Sequence, residues 1–466
     1  MKKGFRWFRV ILTMAITLSL VISPTLEAKP KSTPKENGWF VMLPGDEQEA
    51  AKLQKQLENG ATPADLNVPS GKVEKRSFQS LDKLQQEDAQ TKETYAVKVD
   101  PPVKVANRWV PPKFEYNYIS KDECIRQAES NRDKGWIKNH FAWCRSKIVS
   151  YGWQRYRFPL PIPITYGIQY RITEIGYGTN SQDKDKKERE VFFDYYIDDI
   201  YTTHPFLNGA KLKVDIDCQA LVQPEDCKEK GGPIERTIAQ WKSNNYGSKT
   251  LYSTPPPKSD FNPEQKGYME FYTHQVMNPP QNLPTRTLDS PKQKVRWDSA
   301  DYMMVIHPNQ RFYNAGIFSD VRPVIHFSKS APHVMREQAQ HIEDALKRPE
   351  TTYPYPGPGK IIPGGTYEAP LSRLRDKSAI KRNRGKSQRT CKRLHRDGVL
   401  PKPANSECDE FPFASTWQGA STGGVGKYSV RYISKDSNQA GGAWIAAWYA
   451  YDRILGRDLF NVKVVP

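Results

Sequence analysis

Cys408-Asp409-Glu410-Phe411-Pro412-Phe413-Ala414-Ser415-Thr416 places two adjacent carboxylates in an otherwise apolar stretch, beside a cysteine. Neighbouring acids disfavour each other's ionisation and are costly to bury, so a core gains little from them. Chemistry gains more. A carboxylate whose pKa a neighbour lifts toward neutrality can take a proton from water. Phosphodiester hydrolysis needs such an activated water, with a cation to stabilise the departing 3′-oxygen. Either Asp409 or Glu410 can be the base, leaving the other as orienter or metal ligand. The plainer reading is a solvated turn in which a carboxylate caps a backbone N–H.

Downstream, Ser437-Asn438-Gln439-Ala440-Gly441-Gly442-Ala443-Trp444 runs from a polar cap into a Gly-rich helix start. Asn438 has two readings: a cap for free backbone N–H groups, or a hard oxygen ligand for Mg²⁺ or Mn²⁺. Gly441 and Gly442 allow either close approach to a phosphate or close helix packing. Between Arg373 and Arg396 lie eleven Lys/Arg against one Asp. This run, including Arg393 and Arg396, suits sequence-independent phosphate contacts or an ordinary solvated face. Arg431 on the preceding strand and Lys435 after it are further candidates for substrate contact. His395 is the histidine nearest the acidic pair in sequence, 14 residues upstream, with either a catalytic or a surface role. His204, His274, His307 and His326 have no acid or cysteine neighbours at useful spacing and read as ordinary edge or core residues. The chain has no G-x-x-x-x-G-K-[ST] or H-E-x-x-H motif, which removes support for nucleotide hydrolysis and zincin readings.

Several elements must hold these residues. Met335, Ala339, Ile342 and Leu346 recur at helical spacing and predict an amphipathic helix from His333 to Lys347. Beyond the basic run the pattern reads as strand Tyr428–Ile433, cap Asp436–Asn438, helix Gly442–Leu455 and strand Leu459–Val465.

An acidic pair followed by an Asn-capped helix resembles the NucA/NucB-type family of secreted bacterial deoxyribonucleases. The likeness runs roughly from Pro332 to Val465. Glu337-Gln338-Ala339-Gln340-His341-Ile342-Glu343-Asp344-Ala345-Leu346 resembles that family's opening helix. Asp409 to Ala414 resembles its acidic motif, Val430-Arg431-Tyr432-Ile433-Ser434 its next strand, and Asn438 to Trp444 its helix entry. The resemblance implies a compact ββα-metal arrangement with a divalent ion, Mg or Mn, and DNA as substrate. In it, a hairpin presents the base and the following helix a metal-binding side chain.

At 466 residues the chain should hold several domains of roughly 150 residues each. Its 70 Lys+Arg against 52 Asp+Glu favour anionic partners: nucleic acid, cell-wall polyanions or a membrane surface. The excess is concentrated in residues 331–466, with 22 Lys/Arg against 13 Asp/Glu. Residues 1–28 read as a secretory signal, with Lys2, Lys3, Arg6 and Arg9 ahead of an apolar core of 13 residues, Val10 to Ile22. That core is short for a bilayer span, and no other segment is long and apolar enough to cross one.

Residues 29–112 read as low-complexity linker or propeptide, with a short helix at Glu47–Glu58. Residues 113–330 alternate β-branched and aromatic runs with Asn, Gly and Pro clusters, predicting an antiparallel sandwich or barrel after a helix at Cys124–Cys144. Residues 331–466 form the nuclease-like domain. The six cysteines fall into close couples, Cys124–Cys144, Cys218–Cys227 and Cys391–Cys408, and short loops close easily.

The expectation is a multidomain α+β protein: a β-rich, disulfide-stapled middle domain followed by the ββα-metal-like domain. It would act as a secreted, metal-dependent, non-specific endodeoxyribonuclease. The alternatives are a DNA or cell-wall binding protein with an inactive nuclease domain, and an antibacterial nuclease toxin met by an inhibitor or immunity protein.

Overall fold

The computed structural model describes residues 39–42 and 76–466, apart from 97–101, 112–113, 129–132, 158–161, 224–225, 306–308, 331–332, 356 and 425. The expected signal segment, the Glu47–Glu58 helix and most of the expected linker lie outside the described residues.

Two antiparallel sheets of seven strands each form the larger region. One runs Trp39–Met42, Ala142–Arg157, Ile162–Tyr177, Arg189–Thr202, Tyr246–Ser253 and Lys228–Lys230, with Trp136–Asn139 added on Ala142–Arg157. The other runs Ile234–Thr237, Lys211–Ala220, Gly267–Asn278, Gln293–Asp298, Ala315–Ile317 and Thr179–Asn180, with Arg286–Asp289 added on Gly267–Asn278. Alternation along the strands turns apolar side chains inward. Phe271 of the second sheet meets Trp143 and Phe193 of the first, with ring centroids 5.2 and 4.7 Å apart.

The helix expected across Cys124–Cys144 stops early. Lys121–Ala128 is helical, but Trp136–Asn139 is a strand that turns into Ala142–Arg157. The turn accounts for it: Gly135 has φ +92°, and a Cβ there would lie 2.5 Å from the Cys144 carbonyl oxygen. All three disulfides join the close couples, Cys124–Cys144, Cys218–Cys227 and Cys391–Cys408.

The smaller region, the C-terminal lobe, is built on a four-stranded sheet in the order Thr94–Ala96, Arg322–Ser328, Leu459–Val465 and Leu371–Ser372. Strand Arg322–Ser328 lies upstream of the expected division between residues 330 and 331 yet pairs in parallel with Leu459–Val465. Ile325 and Phe327 from that strand share a buried core with Ala339, Ile342, Phe411, Trp444, Trp448 and Phe460.

Charged groups lock the lobe to the sandwich. Buried Arg453 reaches Asp298 (2.9 Å), and Asp458 binds Arg296 (2.7 Å) and Lys266 (3.2 Å). Among the described residues no helix is long and apolar enough to cross a membrane.

Candidate active site

Strands Ser406–Phe411 and Ser429–Ser434 form an antiparallel hairpin, and helix Lys435–Tyr451 follows directly. The helix begins earlier than the expected Gly442, so Asp436 to Asn438 lie inside its first turns and do not cap it. Ser434 occupies the cap position, without a side-chain hydrogen bond. The expected basic run is a second helix, Lys377–Arg396, started by Asp376, whose carboxylate accepts from the Ala379 N–H at 2.6 Å.

Successive strand residues point to opposite faces. Glu407, Asp409 and Phe411 therefore share one face with Ser429, Arg431 and Ile433, their opposites in register. This face covers helix Arg336–Lys347. Asp409 is 3 % exposed and accepts from Gln338 Nε2 at 3.3 Å, while its other oxygen lies 2.7 Å from His341 Nδ1. His341 is fully buried, and its Nε2 meets Ser429 Oγ at 2.7 Å. Arg431 pairs with Asp344 at 2.7 Å. Hydrogen bonds from Arg348 and Arg431 hold the Asp344 carboxyl below the usual range, against the opposing effect of burial.

Gly441 serves this face: a Cβ there would fall 1.5 Å from Gln338 Oε1. Glu407 accepts from Asn438 Nδ2 (2.9 Å) and Gln439 Nε2 (3.0 Å).

Glu410 points the other way, with Cys408 and Val430, toward helix Lys377–Arg396. The Cys391–Cys408 disulfide ties this face to the helix. Among the described residues Glu410 has no side-chain partner. Its carboxyl is pushed up to about 8, first by burial and then by the Asp409 charge, against the opposing pull of Arg384 and the Ala414 N–H.

On the same helix Lys381, Arg384, Arg389, Lys392 and Arg393 are exposed and form no ion pair among the described residues. Arg396 pairs only with its neighbour Asp397 (3.2 Å), and exposed His395 lies against the Leu400 carbonyl and the Tyr432 ring. Buried Asn383 fixes the following loop by donating to the Ala414 (3.0 Å) and Thr416 (3.2 Å) carbonyls.

The two acids are thus adjacent in sequence but do not converge on one point, and Asn438 and Arg431 sit on the face away from Glu410. Sequence reasoning looked for a histidine near the acidic pair along the chain and overlooked His341. The signal was there: Gln338 and His341 are one helical turn apart and flank the apolar stripe of Ala339 and Ile342.

A resident cation does not fit the donors around Glu410. Among the described residues no three His, Cys, Asp or Glu side chains gather closely enough to hold one. Both oxygens of Asp409 are engaged, and the Asn438 amide is turned to Glu407.

The chain matches no curated protein and no solved structure. Residues 365–463, which take in the hairpin, the basic helix and the helix Lys435–Tyr451, match the family described as deoxyribonuclease NucA/NucB.

Proposed function

We propose that the C-terminal lobe is a secreted, non-specific endodeoxyribonuclease in which Glu410 is the general base. The family match supports DNA as substrate and phosphodiester hydrolysis as reaction. The observation that carries the residue assignment is Glu410 itself, half-buried, free of a side-chain partner and raised to about 8 beside a row of unpaired cations. A base works best when its pKa lies near the working pH. The cations of helix Lys377–Arg396, Arg393 among them, would hold the DNA backbone without reading sequence. Asp409 acts through packing: its contacts with Gln338 and His341 fix the strand that carries Glu410.

On family grounds Mg²⁺ or Mn²⁺ is part of the proposal only as an ion that would come with the DNA phosphates, since the donors around Glu410 do not hold a resident one. Three disulfides accord with an oxidising, extracellular destination.

The test is incubation of the purified full chain with supercoiled plasmid, with and without EDTA. Nicking that EDTA abolishes and Mg²⁺ or Mn²⁺ restores is the expected result. Intact plasmid with every divalent ion tried would leave a DNA-binding protein without catalysis.

A further inference from the structure

A cavity of about 420 Å³ lies where helix Leu81–Ala89, the sandwich and the C-terminal lobe meet, away from the hairpin. Its size falls within the usual range for small-molecule sites. Arg322 is the unusual member of its lining. The residue is 2 % exposed, and among the described residues its guanidinium forms no ion pair. One terminal nitrogen donates to the Tyr367 carbonyl at 2.6 Å, the other to the Ala89 carbonyl, and the group stacks 4.1 Å from the Tyr367 ring. Its Nε is buried and has no acceptor. Arginine cannot shed its charge, and a buried charge without a counter-ion is costly.

The acids in the same wall do not answer it. Asp458 is held by Arg296 (2.7 Å) and Lys266 (3.2 Å). Asp88 accepts from the Tyr268 hydroxyl at 2.8 Å and pairs with Lys294. Asp82 lines the cavity but is itself partly exposed near the start of its helix. Left over on the cationic side are Arg322, the buried Nε of Arg296 and the exposed Arg457, which has no ion pair among the described residues. The cavity offers donors in excess of acceptors.

We propose that this cavity binds a terminal phosphate group, in the range from inorganic phosphate to a mononucleotide, with Arg322 and Arg457 as its principal contacts. An occupant would bridge helix Leu81–Ala89, the sandwich and the lobe. Binding there requires no nuclease activity.

Calorimetric titration of the full chain in about 0.15 M salt, where exposed charges are largely screened, tests it with two probes, inorganic phosphate and deoxycytidine monophosphate. Saturable binding of at least one probe is expected, at one site per chain. Arg457→Glu, at an exposed position, should melt as wild type and bind at least about tenfold more weakly, the scale of one charge-assisted hydrogen bond. Arg322→Lys should weaken binding too, and Arg393→Ala on the basic helix should leave it unchanged. No saturable heat from either probe would overturn the proposal. So would wild-type affinity in Arg457→Glu, or a loss confined to Arg393→Ala, which would put the anion on the basic helix.

Discussion

The two faces of one hairpin have opposite chemistry. On the Asp409 face the polar side chains largely satisfy one another: Asp409 with Gln338 and His341, Arg431 with Asp344, Glu407 with Asn438 and Gln439. On the Glu410 face a half-buried carboxyl stands without a side-chain partner beside unpaired cations. Saturated networks rigidify a fold, whereas an unsatisfied titratable group near a surface is available for reaction. One strand therefore carries a residue that holds the structure and, next to it, a residue open to substrate.

The largest effect should come from removing what supports both faces. A fragment of residues 331–466 lacks strand Arg322–Ser328, so Leu459–Val465 loses its parallel neighbour and Ile325 and Phe327 leave the core. Burial of two such side chains contributes on the order of 3–6 kcal/mol, and the bared strand edge invites aggregation. Circular dichroism should show no cooperative melt, whereas a cooperative transition would make the lobe autonomous.

Next is the pH profile. Burial first, and Asp409 second, raise Glu410 to about 8, so a base at this position gains activity as pH climbs through that value. Below it, the cleavage rate should fall about tenfold per pH unit. The sign for stability is opposite. A carboxyl raised on folding favours the protonated native state, so its contribution is full at low pH and is lost as pH rises toward about 8. Glu410→Gln should therefore melt higher than wild type at pH 8, with the gap closing at pH 4. A flat rate profile between pH 6 and 8 would remove Glu410 from the chemistry.

Asp409→Asn should act on stability. It weakens the hydrogen bond to buried His341 and leaves a donor where an acceptor was needed, a cost of about 1–3 kcal/mol. A denaturant titration checks this, and unchanged stability would deny the buried face its structural role.

Smallest is the effect of single cations. Arg393→Ala should weaken DNA binding only a few-fold and lower the slope of log affinity against log salt by about one. An unchanged slope would move the DNA path off the basic helix.

The sequence carried the parts more readily than their arrangement. Strand Leu459–Val465 and the close cysteine couples could be read from local pattern, and the acidic pair and helix entry were enough for the family resemblance. The placement of the helix start was not readable, because Asp436, Ser437 and Asn438 look like a cap and are instead drawn into the helix, where Ser437 accepts from the Gln338 N–H at 3.1 Å and Asn438 donates to Glu407. Strand Arg322–Ser328 falls within the stretch 113–330 whose pattern predicts strands, but its partner lies 137 positions away at the first register pair, Val324 with Asn461, and no local pattern reports that. His341 escaped for the same reason, since 68 residues separate it from Asp409.

The division of labour across the hairpin comes down to the plasmid-nicking rate of Glu410→Gln, measured beside its melting curve at the pH of maximal wild-type activity. The substitution is nearly isosteric and removes a disfavoured buried charge, so the protein should melt at or above the wild-type temperature. Nicking should fall by at least about 10²-fold, the lower end of general-base contributions. A folded Glu410→Gln protein that cleaves at the wild-type rate would contradict the account, and would move the search for the base to the His341–Asp409 pair on the opposite face.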